Sequence, residues 1–213
     1  KMRSFNLTHI ANHLSKFSQT ITYIPRKRCP CVVAGSHDAD PACPFCGGSK
    51  FYNLAPVSAQ VVVTGQDTQR AWESYGNYET GDCIVSIDRS SPAYNISPDD
   101  RVIFENVHEP FSTTTTKRSQ SNTEILPSFF ARADIDSVSY ITNTQIASLS
   151  FKYFSNDLTL QFYSSVPAGT QLSISGTKRP LYTAFQVYPR DRSAHCNAIG
   201  LPKRIVLRRE TER

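Results

Sequence analysis

The sequence predicts a mainly β protein, an antiparallel β-barrel or sandwich with an N-terminal helix and a small four-cysteine zinc-knuckle module. Three observations lead there. From Val57 onward apolar residues recur with a period of two; Pro and Gly punctuate those runs every few residues; and no helical pattern alternates with them. The 213 residues suffice for one large domain or two small ones, with a core that needs no disulfides. At 39% hydrophobic and 19% charged residues, the composition excludes an extended coiled coil and a highly charged disordered chain.

Residues 4–21 give the one helical pattern. Leu7, Ile10, Leu14, Phe17 and Ile21 recur at intervals of three and four, and Ser4 is the expected N-cap. His9 and His13 fall one turn apart, a metal-pair spacing. Ile10 replaces the glutamate of a zincin helix, however, and no third ligand is evident, so both are expected to be solvated. This helix and arm occupy 1–25, and the cysteine module follows over 26–55.

A β-barrel body is expected over 56–190. Cys83, Val85 and Ile87 alternate with Ile84, Ser86 and Asp88; Leu158, Leu160 and Phe162 do the same, as do Leu172 with Ile174 and Phe185 with Val187. Turn residues separate these runs, among them Gly81, Pro92, Pro98, Pro110, Pro127, Pro167, Gly169, Gly176, Pro180 and Pro189. Residues 110–126 read as a projecting loop, because the stretch 112–124 offers no apolar anchor. Its four threonines, 113–116, have high strand propensity, so the loop is expected to add a strand to a neighbour, with Lys117 and Arg118 at its tip. Residues 191–213 complete the chain as a basic C-terminal arm.

The net charge of +5 is unevenly placed. Residues 1–28 carry six bases and no acid, residues 203–213 five bases and two acids, and the stretch between them 12 bases and 16 acids. Basic ends on a mildly acidic body suit contact with an anionic partner, and short Lys/Arg runs are also common on solvated surfaces. No apolar run approaches the ~20 residues of a membrane helix. The opening Lys1-Met2-Arg3 leads into a polar segment rather than an apolar h-region, so the expectation is a soluble protein without a secretory signal or membrane partner. Neither GxxxxGK[ST] nor GxGxxG is present to cradle a nucleotide phosphate.

The strongest chemical signal is Cys29-Pro30-Cys31, an eleven-residue gap, then Cys43-Pro44-Phe45-Cys46-Gly47-Gly48. Two thiolates on a tight turn can share one ion, and two such turns complete a tetrahedral shell. Gly47 and Gly48 let the backbone curl behind the second pair. Without a secretory signal, a zinc site is favoured over a disulfide framework. Cys29, Cys31, Cys43 and Cys46 are therefore the expected ligands of one structural zinc ion, with His37 the substitute should one cysteine not ligate. Cys83 shares the phase of Val85 and Ile87 and reads as a small buried hydrophobe. Cys196 follows His195, but adjacent residues on an extended chain point apart, and no Gly-framed elbow surrounds them. The carboxylate pairs Asp99/Asp100 and Asp134/Asp136 read as turn chemistry. No Ser-centred elbow, HExxH or EF-hand loop is present, and the sequence argues against an enzyme.

Taken together these features resemble the neck proteins of tailed bacteriophages, the head-closure, stopper or adaptor subunits of the head-to-tail connector. The likeness rests on the knuckle 43–52 with its Gly-Gly tail and on Gly81-Asp82 through Asp88 followed by Asp99-Asp100-Arg101-Val102-Ile103. It rests also on the stretch from Pro167 through Tyr188-Pro189 and Leu201 to Arg209, which is similar to the closing strands of zinc-knuckle phage structural proteins. These pieces are spread discontinuously over the chain from residue 43 to residue 209. The resemblance implies a structural virion protein, made in the host cytoplasm and placed between capsid and tail. It implies a homo-oligomeric ring of six or twelve, contacts with portal or adaptor and with tail-terminator or other neck proteins, and a lumen that passes genomic DNA without sequence-specific binding.

Two other functions are compatible with parts of the sequence. In a nucleic-acid-binding zinc ribbon, Arg26-Lys27-Arg28 would grip phosphates while Phe51 and Tyr52 stacked on bases. A thiol-redox or hydrolytic enzyme would depend on Cys196, which the extended-chain geometry disfavours.

Overall fold

The computed structural model describes residues 12, 15–32, 38–63, 81–142, 145–188 and 202–210. The chain divides into two units, Lys1–Asn106 with Leu181–Thr211, and Val107–Pro180 with Glu212–Arg213. The first unit begins with β1 (Gln19–Ile24), β2 (Arg26–Arg28), β3 (Phe51–Asn53), β4 (Val57–Val63), β5 (Cys83–Ile87) and β6 (Arg101–Phe104). The second holds β7 (Glu109–Thr116), β8 (Thr123–Ile125), β9 (Ala133–Thr142), β10 (Gln145–Ser148), β11 (Phe151–Phe154), β12 (Thr159–Phe162) and β13 (Gln171–Lys178). The chain then returns to the first with β14 (Leu181–Tyr188) and β15 (Lys203–Arg209). Among the described residues no helix is long and apolar enough to cross a membrane.

Six strands of the first unit close into an antiparallel barrel in the order β1-β4-β5-β15-β14-β6. Alternation explains the inward face. Ile21 lies opposite both Ala59 and Phe104, Tyr23 opposite Val102, and Val85 opposite Ile205, and these side chains are buried. Phe104 also meets Tyr182 edge to face at 5.4 Å. The β5–β15 pair is buried on its other face too, where Ile84 opposes Val206. Closure leaves the barrel no unpaired edge.

Two expectations change here. The helix over 4–21 falls mostly outside the described residues, and its last three positions belong to β1. Ile21 fits a helical stripe and a strand equally well; pairing with β4 and β6 settles the matter. The basic C-terminal arm is also redrawn, because Lys203–Arg209 is a barrel strand between β5 and β14. Its bases have internal partners. Lys203 Nζ donates to the carbonyls of Tyr94 (2.9 Å) and Ile96, and Arg208 lies 3.5 Å from the buried Asp82 carboxylate and over the Phe185 ring. Glu210 just beyond β15 takes a bidentate bond from Arg101 at 2.9 and 3.0 Å.

The second unit has its own core beneath two sheets, ordered β10-β9-β13-β7 and β11-β12-β8. Val138, Leu160, Phe162, Leu172 and Ile174 are buried together around Phe130, which meets Phe111 at 5.8 Å. A bulge between Ser175 and Gly176 shifts the β13–β9 register. It requires glycine, since a Cβ at position 176 would stand 2.0 Å from the Asp134 carbonyl oxygen. The expected projecting loop is built otherwise. Residues 109–116 form β7, and Lys117, expected at a tip, is fully buried and donates to the carbonyls of Ser119 and Ser121. The buried Glu124 carboxylate accepts the Arg118 and Ser119 N–H groups, both at 2.9 Å. A buried lysine and a buried glutamate each organise part of this turn from within.

Candidate metal centre

The four cysteines are brought together by a two-stranded ribbon. β2 pairs with β3 in the register Arg26↔Asn53, Lys27↔Tyr52, Arg28↔Phe51. The ladder runs one step further, with Cys29 N–H donating to Lys50 O at 2.7 Å. The chain then turns at once, Val32 N–H reaching Cys29 O at 3.1 Å, so that the one-residue spacing of Cys29 and Cys31 sits on a tight turn. The second knuckle opens with Cys43 N–H on Asp40 O at 3.1 Å and closes with Gly47 N–H on Cys43 O at 2.8 Å and Ser49 N–H on Cys46 O at 2.9 Å. Gly47 and Gly48 adopt φ of +52° and +81°. At Gly48 the backbone passes close to Pro41, where an added Cβ would lie 3.2 Å from the Pro41 Cα.

The sulfur geometry fits a single ion. All four Sγ atoms lie within 4.8 Å of one another. The nearest pairs cross between the knuckles, Cys29–Cys43 at 3.7 Å and Cys31–Cys46 at 3.4 Å. These are free thiols. A tetrahedral shell with zinc–sulfur bonds of about 2.3 Å puts its sulfurs about 3.8 Å apart, and the cluster sits close to that spacing. Cys29, Cys43 and Cys46 are buried, and the side chains packed around them are Cys31, Ala39 and Tyr52. The N–H groups of Cys46 and Phe45 point at Cys43 and hold its thiol down to about 7, so one thiolate forms readily near neutral pH. Burial, together with the Cys46 sulfur, pushes Cys31 up to about 12. Four thiols so crowded cannot all ionise without a cation between them, which is the condition a metal ion meets. Protein fills all four positions, so such a site is closed and suited to structure rather than catalysis.

The ribbon is fixed to the barrel from the end opposite the knuckles. Asp100, buried where β6 begins, accepts the Arg26 N–H on Oδ1 at 2.7 Å and the Ser97 N–H on Oδ2 at 2.8 Å. The Arg26 guanidinium donates to Asp99 O at 3.2 Å and covers the Phe51 ring at 4.7 Å. Leu54 N–H closes the base of the ribbon on Pro25 O at 2.8 Å. Asp99 itself has φ of +75°, a left-handed turn position that Asp tolerates.

Of the residues singled out from sequence, Cys29, Cys31, Cys43 and Cys46 converge. Cys83 stands apart on β5 opposite Leu207, half-buried, its thiol pushed up to about 12 chiefly by burial and further by Asp82. His9, His13, His37, His195 and Cys196 lie outside the described residues. Sequence reasoning missed the anchoring role of Asp100 and Arg26; the turn-forming Asp99-Asp100 pair was visible, but not that it faces a chain segment 74 residues away. Comparison with models of known protein families finds no match, and comparison with curated proteins finds none at a meaningful level.

Proposed function

We propose that the chain is a structural subunit of a tailed-phage neck. In this proposal it assembles into a ring between portal and tail that passes DNA, and one zinc ion on Cys29, Cys31, Cys43 and Cys46 is a permanent part of its architecture. The reading is of an assembly protein, not an enzyme. The supporting observation is where the reactive groups go. The four thiols brace the ribbon at one end, Asp100 and Arg26 hold it to the closed barrel at the other, and Arg101 with Glu210 ties β6 to the end of the chain's last barrel strand. A rigid all-β body whose polar chemistry is used internally suits a ring subunit, as does the sequence resemblance. Native mass spectrometry of the purified full chain under reducing conditions tests both halves. The expected result is a closed oligomer with one zinc per chain. A monomer at tens of micromolar would sink the ring, and metal-free protein would sink the zinc.

The nucleic-acid-binding zinc ribbon has one observation in its favour, the exposed Lys27 and Arg28 on β2. Its stacking platform is missing, because Phe51 lies under Arg26 and Tyr52 packs on the cysteines. A salt titration of binding to random single-stranded DNA separates the two, since a phosphate-gripping ribbon loses affinity steeply with salt and a neck subunit binds weakly throughout.

A further inference from the structure

In the second unit, the four-stranded sheet β10-β9-β13-β7 ends in two strands, β7 and β10, each paired on one side only among the described residues. Proteins usually guard such edges with charge, proline, a bulge or brevity. Elsewhere in this chain they do. β11 carries an exposed Lys152, β8 has three residues, and the β2–β3 ribbon carries Arg26, Lys27 and Arg28. β7 opens with Glu109 and Pro110, but its remaining residues 111–116, like residues 145–148 of β10, contain no charge and no proline.

Toward β10 the outward face is also free of charge; Asp134 and Asp136, exposed on β9, lie toward that strand's other end. The registers place Thr114, Ser173, Ser139 and Ser148 in one row across all four strands, and Ile141 beside Ile146 at the β10 end. Ile141 and Ile146 are 74% and 77% exposed, an apolar pair that nothing in the monomer's own core requires.

Strand direction suits a second copy of this chain as the occupant. Each neighbour in the sheet is antiparallel, and the strands number four, so β10 runs opposite to β7. A second copy rotated about an axis along the strands therefore brings its β7 beside β10 in antiparallel sense and with the same face outward. The Thr/Ser rows continue into the next copy, with hydroxyl pairs across the seam. The geometry points to head-to-tail pairing of β7 in one copy with β10 in the next, a heterologous contact that makes rings when the rotation closes. It rests on the proposed assembly role and names the surface that performs it.

Two variants of the full chain test this, one blocking each edge with lysines at exposed positions: Thr114→Lys with Thr116→Lys, and Ile146→Lys with Ser148→Lys. Sedimentation velocity reads the masses, and circular dichroism confirms that both variants fold. Each variant alone is expected to be monomeric, and an equimolar mixture to give a dimer and nothing larger, because each supplies the edge the other lacks. Wild-type-sized oligomers from either variant alone, or no complex in the mixture, overturn head-to-tail pairing. A wild type that is itself monomeric overturns the assembly role along with it, whereas an oligomer indifferent to both edges removes this pairing alone.

Discussion

Asp100→Ala separates the two anchors of the ribbon. The wild-type carboxylate is 4% exposed and accepts two backbone N–H groups, from Arg26 at 2.7 Å and Ser97 at 2.8 Å. Hydrogen bonds to a charged partner contribute about 1.5–3 kcal/mol each, so losing both costs about 3–6 kcal/mol. With a urea m-value of about 2 kcal/mol/M, the midpoint for the first unit falls by roughly 1.5–3 M. Asp100→Asn, which keeps one acceptor oxygen, lies between. No sulfur is touched, so metal content by elemental analysis stays at the wild-type value while residues 26–55 become sensitive to limited proteolysis. An Asp100→Ala midpoint within about 0.3 M of wild type, or loss of the metal, would refute the claim that the carboxylate anchors the ribbon independently of the cysteines.

Cys43→Ser loses the metal and exposes 26–55 to protease, whereas Cys83→Ser retains it; a Cys43→Ser chain with full zinc occupancy excludes the four-thiolate site. Gly176→Ala forces a methyl to 2.0 Å from the Asp134 carbonyl oxygen, and the loss of about 3 kcal/mol or more is read as faster amide exchange across β13 and β9. Lys117→Met leaves the Ser119 and Ser121 carbonyls without their buried donor, so trypsin cuts after Arg118 in the variant and not in the wild type. Cys83 in the folded chain keeps its proton to about pH 12, against about 9 when unfolded. Between those values the native state holds the extra proton, so stability falls as pH rises, by up to about 1.4 kcal/mol per pH unit. Cys83→Ala removes that part of the alkaline slope in urea midpoints taken at pH 8.5 and 10.5, and an unchanged slope counts against a thiol raised by burial and Asp82.

The β class and the four-cysteine cluster are legible in the sequence, because both are written in short-range order. Alternation at Cys83, Val85 and Ile87 fixes which side chains share a strand face, and β5 sits in the barrel in that phase. Two knuckles with glycines behind the second hold four thiols together through turns of a few residues. Tertiary structure alone decided the rest. Ile205, Val206 and Leu207 form a three-residue apolar run among bases, which reads as a charged arm until β15 pairs between β5 and β14 and all three side chains are buried. Lys117 reads as an exposed tip until the carbonyls of its own turn surround it. Asp100 reads as a turn residue until Arg26 presents an N–H to it from a distant stretch of chain. In each case local composition sets what a residue prefers in water, and the partners that reverse that preference are long-range contacts made only once the chain has closed on itself.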